Sequence, residues 1–200
     1  TGVLAPFLVN SGNPSTLLFV SYEVLLYTSF MIFALKQRFA GLFYTSFMLL
    51  HPAFLLFELV SSESSEGWIA YGVLVQHILL LGSLLLSRTG MAAHQLRVLG
   101  TSFIFTAIWF KLGVDDSETN WILLFFTLCY SALSAYFWRT KFQQALPYTL
   151  AVASYALLFF MMNRFDHEAV IAFFMLEGFV AIAFGFVIRS VFQKINGLVI

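Results

Sequence analysis

Five polar side chains stand inside long apolar stretches of this sequence. They are Glu23, His51, Gln76, His77 and Glu177. An ionised carboxylate in an apolar medium costs several kcal/mol unless it is paired, hydrated or protonated. Glutamate and histidine side chains placed together can pass protons to one another, because histidine titrates near neutral pH. These residue types therefore suggest a proton relay or a polar binding site inside an apolar environment.

The spacing of these five residues from nearby basic residues predicts that they share one depth. At about 1.5 Å per residue of helix, all five lie about 16–20 Å from a basic residue. The separations are 12 residues from Glu177 to Arg189, 13 from Glu23 to Lys36, 12 and 11 from Gln76 and His77 to Arg88, and 13 from Arg38 to His51. We therefore expect a polar layer formed by the five side chains.

Simpler interpretations of the layer remain open. Polar side chains in membrane helices often hydrogen-bond to neighbouring helices and contribute about 0.6 kcal/mol each. His51 and His77 are the right residue types to ligate a haem iron or, with a glutamate, a metal ion. One histidine per helix is a weak pattern for such a centre, so no metal and no cofactor is predicted. A retinal protein is excluded, because the run Ala169–Ile188 contains no lysine for a Schiff base.

The overall composition indicates which solvent surrounds these residues. Of the 200 residues, 60% are hydrophobic and only 10% are charged. A soluble domain carries about 25% charged residues, so the lipid bilayer is the expected partner. The net charge is zero, which gives no sign of nucleic-acid binding. The single cysteine, Cys129, excludes an intrachain disulfide.

Seven apolar runs are long enough to span a bilayer, which needs about 20 residues. They cover Ser15–Leu35, Phe39–Val60, Trp68–Ser87, Leu96–Leu112, Trp121–Trp138, Ala145–Met162 and Ala169–Ile188. The connections between them are short. We therefore predict an all-α, polytopic transmembrane helix bundle, with residues 1–200 as a single transmembrane domain.

Charges in the connecting loops alternate along the chain. One set of loops carries eight basic residues: Lys36, Arg38, Arg88, Arg97, Arg139, Lys141, Arg189 and Lys194. The other set is acidic and carries only Lys111 and Arg164 as basic residues. By the positive-inside rule, the basic loops face the cytoplasm.

The basic turns also recur at a nearly fixed interval. Lys36, Arg88, Arg139 and Arg189 are spaced 52, 51 and 50 residues apart. This spacing is consistent with a repeated helical hairpin of about 50 residues, and also with any chain of short-looped spans. The chain begins at Thr1 and stops within an apolar run. We therefore expect it to be part of a longer protein, with the remaining helices of that protein or other membrane subunits as partners.

Two local patterns predict how the polar residues are placed. Glu177, Ala181 and Gly185 stand four residues apart on one helix face, and small residues at this spacing let helices approach closely. Pro52 follows His51 in mid-span, where proline removes a backbone hydrogen bond. We expect Glu177 to face protein, and the helix to break at His51–Pro52 as helices do at transporter sites.

Segments at the two ends of the chain carry a family resemblance. Gly2–Pro6, Ser11–Gly12 and Phe19–Tyr22, together with Leu176–Gly178 and the following small-residue helix, are typical of one family. The sequence resembles the bacterial multi-pass membrane proteins called domain of unknown function 2339. It departs from their pattern at Thr1, where Gly is common, and at Ala5, where Thr is usual. The resemblance implies a longer, many-spanning parent in bacteria and gives no activity to any residue.

Two classes of function follow from these observations. The first is a transporter-like or channel-like module in the bacterial inner (plasma) membrane, with the polar layer on its pathway. The alternative is a non-enzymatic scaffold or assembly protein of the bacterial envelope. The sequence contains no GxSxG, HExxH, Walker or GxGxxG motif, so an enzyme is the less favoured interpretation and no catalytic residue is predicted.

Overall fold

The structure is a computed structural model that describes residues 15–37, 39–60, 67–85, 93–140 and 143–200. The described residues are almost entirely helical and contain no strand. Their α-helices are α1 (Thr16–Gln37), α2 (Ala40–Val60), α3 (Trp68–Leu85), α4 (Ala93–Gly113), α5 (Asp116–Trp138), α6 (Leu146–Arg164), α7 (His167–Val187) and α8 (Val191–Val199). A single 3₁₀ turn, Gln143–Ala145, precedes α6.

Seven of these helices are long and apolar enough to cross a membrane, which confirms the predicted fold class. The seven spans contain 18 to 23 residues each. At about 1.5 Å per residue they are about 27–35 Å long, close to the thickness of the hydrocarbon core. Each predicted apolar run corresponds to one of the helices α1–α7.

The largest difference from the predicted bounds is at the start of α5. The apolar run begins at Trp121, whereas the helix begins at Asp116. Asp116 and Glu118 lie in its first turn, where the helix dipole favours acidic side chains. Hydropathy alone misses this turn because its residues are polar.

The contacts divide the chain into two compact units. The first unit contains Thr1–Arg88 and Thr101–Val114, and the second contains Thr89–Gly100 and Asp115–Ile200. The first unit therefore holds α1, α2, α3 and most of α4. The second holds the start of α4 and the helices α5–α8.

Aromatic side chains form much of the core of the first unit. The ring of Phe19 on α1 stacks on Phe57 of α2, with centroids 4.3 Å apart, and meets Phe54 edge-on at 6.0 Å. Phe54 in turn packs edge-on against Trp109 of α4 at 6.3 Å. All four of these rings are buried. The described part of the unit is thus closely packed around α2.

Helices α1 and α3 lie side by side and run in the same direction. A Cβ atom placed on Gly72 would collide with Cγ1 of Val20, so the two helices are in close contact there. Further along, the Ser83 hydroxyl donates to Sδ of Met31 at 3.7 Å. Both contacts join residues 52 positions apart. This register of 52 residues equals the separation of Lys36 and Arg88 in the sequence. The repeated helical hairpin of about 50 residues stays a prediction.

Proline at position 52 does not interrupt α2, so the expected break at His51–Pro52 is wrong. The helix is continuous from Ala40 to Val60 with Pro52 inside it. The Pro52 side chain is exposed, which leaves room for its ring on the outer side of the helix. A single missing hydrogen bond is tolerated because the surrounding helix and its packing hold the backbone.

In the second unit, α8 turns back along the C-terminal half of α7. Arg189 has a positive φ of 54° in the turn, and the Ser190 hydroxyl caps α8 by accepting from the backbone N–H of Gln193 at 3.2 Å. Gly185 packs against Lys194, and Gly178 packs against Gly197. A Cβ on Gly178 would lie 2.9 Å from the Gly197 carbonyl oxygen. The predicted small-residue face of α7 is therefore an actual helix contact, made with α8.

Candidate functional site

The predicted polar residues fall into both units. Glu23, His51, Gln76 and His77 belong to the first unit, and Glu177 belongs to the second. The four side chains of the first unit are buried, and Glu177 is half-buried. The predicted five-residue layer stays a prediction, and the surroundings of each group are described unit by unit.

His77 is held by a hydrogen bond inside the first unit. Its Nδ1 atom lies 3.1 Å from the Ser102 hydroxyl of α4. Both side chains are buried, and Thr106 one turn later donates to the Ser102 carbonyl oxygen at 2.8 Å. A small-residue surface on α4 thus receives the imidazole, as expected for an interhelical hydrogen bond.

His51 is packed between aromatic rings. Its ring stacks on Phe105 of α4 with centroids 3.9 Å apart, and it meets Phe47 edge-on at 5.0 Å. Among the described residues, neither imidazole nitrogen has a hydrogen-bond partner. The described chain also contains no group of three or more His, Cys, Asp or Glu side chains that could hold a metal ion.

Glu23 on α1 and Gln76 on α3 are the other two predicted polar residues of the first unit. Along α1, Glu23 lies between Val20 and Met31, and along α3, Gln76 lies between Gly72 and Ser83. These four flanking residues make contacts between the two helices. Glu23 is 1% exposed and Gln76 is 0% exposed. Within the described chain, Glu23 Oε1 and both terminal amide atoms of Gln76 lack a hydrogen-bond partner. Each of the two helices therefore carries a buried polar side chain with an unpartnered atom in this part of the unit.

Glu177 has polar neighbours from two other helices of the second unit. The Ser154 side chain of α6 lies beside its carboxyl group, on the wall of the same cavity. Tyr155, also on α6, is close enough to interact with Glu177 electrostatically, and its hydroxyl donates to Oδ1 of Asn196 on α8 at 3.2 Å. The second carboxyl oxygen, Oε2, is buried and has no hydrogen-bond partner among the described residues. Glu177 therefore faces protein, as its small-residue face predicts.

A cavity of about 310 Å³ lies beside Glu177. Ser154, Glu177 and Gln193 supply its polar lining. The rest of the wall is apolar and includes leucine side chains of α6 and the rings of Phe173 and Phe184 on α7. Gln193 is only 2% exposed, and its Oε1 atom has no partner within the described chain. The cavity thus combines an apolar wall with the polar side chains of Ser154, Glu177 and Gln193.

Four polar residues around Glu177 and Tyr155 were not predicted from the sequence: Ser154, Tyr155 itself, Gln193 and Asn196. Serine and tyrosine are common in spanning helices, so their types alone gave no signal. Gln193 and Asn196 lie in α8, whose return along α7 cannot be read from hydropathy. Their spacing of three residues, followed by Gly197, is the only pattern that indicates a shared polar face.

The seven apolar helices define a class, the multi-pass integral membrane proteins. Comparisons with protein-family models, with curated proteins and with solved structures gave no match for this chain. Its function must therefore be argued from its own residues.

Proposed function

We propose that this chain is a transporter-like or channel-like membrane module whose pathway includes the cavity beside Glu177. The observation that carries the proposal is Glu177, which lines a cavity of about 310 Å³ and whose Oε2 atom is buried without a hydrogen-bond partner among the described residues. Acidic groups inside a membrane are costly and usually mark a substrate or ion pathway.

The first test is whether water reaches this cavity. In a Cys129→Ser background, Ser154→Cys places a thiol on the cavity wall with little change in volume. Only the thiolate reacts with a membrane-impermeant methanethiosulfonate reagent, and a thiolate forms readily only where water is present. We expect Ser154→Cys to be labelled in proteoliposomes.

Phe179→Cys is the matched control for this labelling. Phe179 is 71% exposed on α7 and does not line the cavity, so its thiol faces lipid and should stay unlabelled. Equal absence of labelling at positions 154 and 179, in protein shown to be folded, would contradict the transport proposal.

The alternative function, a scaffold or assembly protein of the bacterial envelope, is favoured by the first unit. His77 is bonded to Ser102, and His51 is packed between Phe47 and Phe105. The bond from His77 to Ser102 is of the kind that joins neighbouring helices in a purely structural role. Without labelling at position 154, the scaffold function becomes the better explanation.

The proposed location of this protein is the bacterial inner (plasma) membrane. The excess of basic residues in alternate loops supports a bacterial inner (plasma) membrane protein with those loops in the cytoplasm. The resemblance of the chain ends to domain of unknown function 2339 supports a bacterial source and membership of that family. Residues 1–14, which carry part of that resemblance, lie outside the described residues.

A further inference from the structure

The hydrogen-bonding groups of the cavity require a ligand that donates. Glu177 Oε2 and Gln193 Oε1 are acceptors, and both lack a partner among the described residues. The Ser154 hydroxyl lies beside the Glu177 carboxyl group and can donate to it. A ligand that pairs with these two oxygens must bring N–H or O–H donors. A carboxylate or phosphate ligand would add acceptors and leave the free oxygens unpaired.

The charge of the cavity selects among such donors. Glu177 is the only ionisable side chain among the described residues that line it. An ammonium group carries three donors and the complementary charge, and hydrogen bonds between ionised partners are about twice as strong as neutral ones. The rings of Phe173 and Phe184 also line the cavity, and aromatic faces attract cations.

The size and shape of the cavity define the rest of the ligand. Its volume of about 310 Å³ is at the lower end of the range of small-molecule sites. Leu176 and Val180 on its wall are 62% and 50% exposed, so the cavity opens sideways on the outer face of α7. A ligand with an apolar tail can lie along this wall and reach the cavity from the lipid.

We infer that the Glu177 cavity binds a small amphipathic primary amine, with its ammonium group on Glu177 and Gln193 and its alkyl chain along α6 and α7. This inference rests on the proposed function and names the substrate class for it.

Binding of radiolabelled n-hexylammonium tests the inference. The whole chain is placed in nanodiscs of zwitterionic lipid, and binding is measured by equilibrium dialysis against empty nanodiscs. We expect saturable binding to the wild-type protein. Glu177→Gln should weaken it at least about tenfold, because a hydrogen bond to a charged group is lost, and Gln193→Leu about fivefold, because a neutral one is lost.

Glu168→Gln is the matched control, since Glu168 is an exposed acid in the first turn of the same helix. It should change the dissociation constant less than about twofold, as expected for a solvent-exposed charge. Hexanol, with the same alkyl chain and no charge, should fail to compete. Circular dichroism and gel filtration check that each variant is folded. If Glu177→Gln does not fold, the inference is still tested by binding to Gln193→Leu and by the comparison of hexylammonium with hexanol.

Competition by hexanol at the same concentration as unlabelled hexylammonium would overturn the inference, because the site would then recognise only the apolar chain. Unchanged binding in folded Glu177→Gln would overturn it as well. If Ser154→Cys is labelled but hexylammonium does not bind, the substrate class is wrong and the transport proposal stands. If Ser154→Cys is not labelled and hexylammonium does not bind, both the transport proposal and the proposed substrate class fail.

Discussion

At the scale of single residues, the two histidines of the first unit show that the same residue type can be buried in two ways. His77 has a hydroxyl partner on α4, whereas His51 is surrounded by aromatic rings and has no partner among the described residues. Removing one partner of a buried hydrogen bond leaves the other unsatisfied, which costs more than the bond itself contributes. The two positions should therefore respond differently to substitution.

The coupling between His77 and Ser102 is measurable as a double-mutant cycle. We expect His77→Ala and Ser102→Ala each to lower the free energy of unfolding, and the double variant to lose less than their sum. The interaction energy should be about 0.6 kcal/mol, the average for such bonds in membrane proteins. Unfolding by detergent titration gives the values.

Ser83→Ala is the control for the cycle. The Ser83 hydroxyl donates to Leu80 and Met31, so it shares no partner with Ser102. Its effect should add to that of Ser102→Ala. Additive effects of the His77 and Ser102 substitutions would contradict the hydrogen bond.

At the scale of helices, the sequence predicts the existence and number of the spanning helices well, and it predicts poorly how those helices pack. Seven spans follow from hydropathy, because each helix must match the thickness of a bilayer on its own. Which faces meet depends on contacts between distant residues. The pairing of Gly178 with Gly197 and the polar contacts of Ser154 and Tyr155 therefore could not be derived from composition and spacing.

The parallel packing of α1 on α3 makes a geometric prediction. A Cβ placed on Gly72 lies 3.8 Å from the Cβ of Val20, which is the usual Cβ–Cβ separation of a disulfide. In a Cys129→Ser background, Val20→Cys combined with Gly72→Cys should form a disulfide on mild oxidation. Loss of free-thiol reactivity with a maleimide in denaturant, restored by reduction, measures it.

The control for this cross-link moves one cysteine by one helical turn. Val24 lies about 6 Å further along α1 than Val20, so Val24→Cys with Gly72→Cys should keep both thiols free. Preferential cross-linking of the Val24 pair would mean that the register of α1 and α3 is not 52 residues.

At the scale of the whole molecule, the exposed apolar surface determines the surrounding solvent, and the loop charges determine the orientation in the membrane. Many large apolar side chains are exposed, such as Leu18 at 72% and Leu59 at 82%, and lipid is the solvent that tolerates them. The exposed apolar surface favours neither side of the membrane. Orientation depends on the charged loops, where basic residues resist transfer across the membrane during insertion.

Labelling of single cysteines in intact bacterial cells tests the proposed orientation. In a Cys129→Ser background, Glu118→Cys lies at the start of α5, beside the acidic Asp115–Asp116, and Thr140→Cys lies just after its end, beside Arg139. We expect an impermeant maleimide with access to the periplasm to label Glu118→Cys in intact cells. Thr140→Cys should react only after the inner membrane is permeabilised, because the positive-inside rule predicts that the basic end of α5 lies in the cytoplasm. Since the two positions flank one spanning helix, they must report opposite sides. Labelling of Thr140→Cys alone in intact cells would reverse the orientation, and labelling of both would show that α5 does not span the membrane.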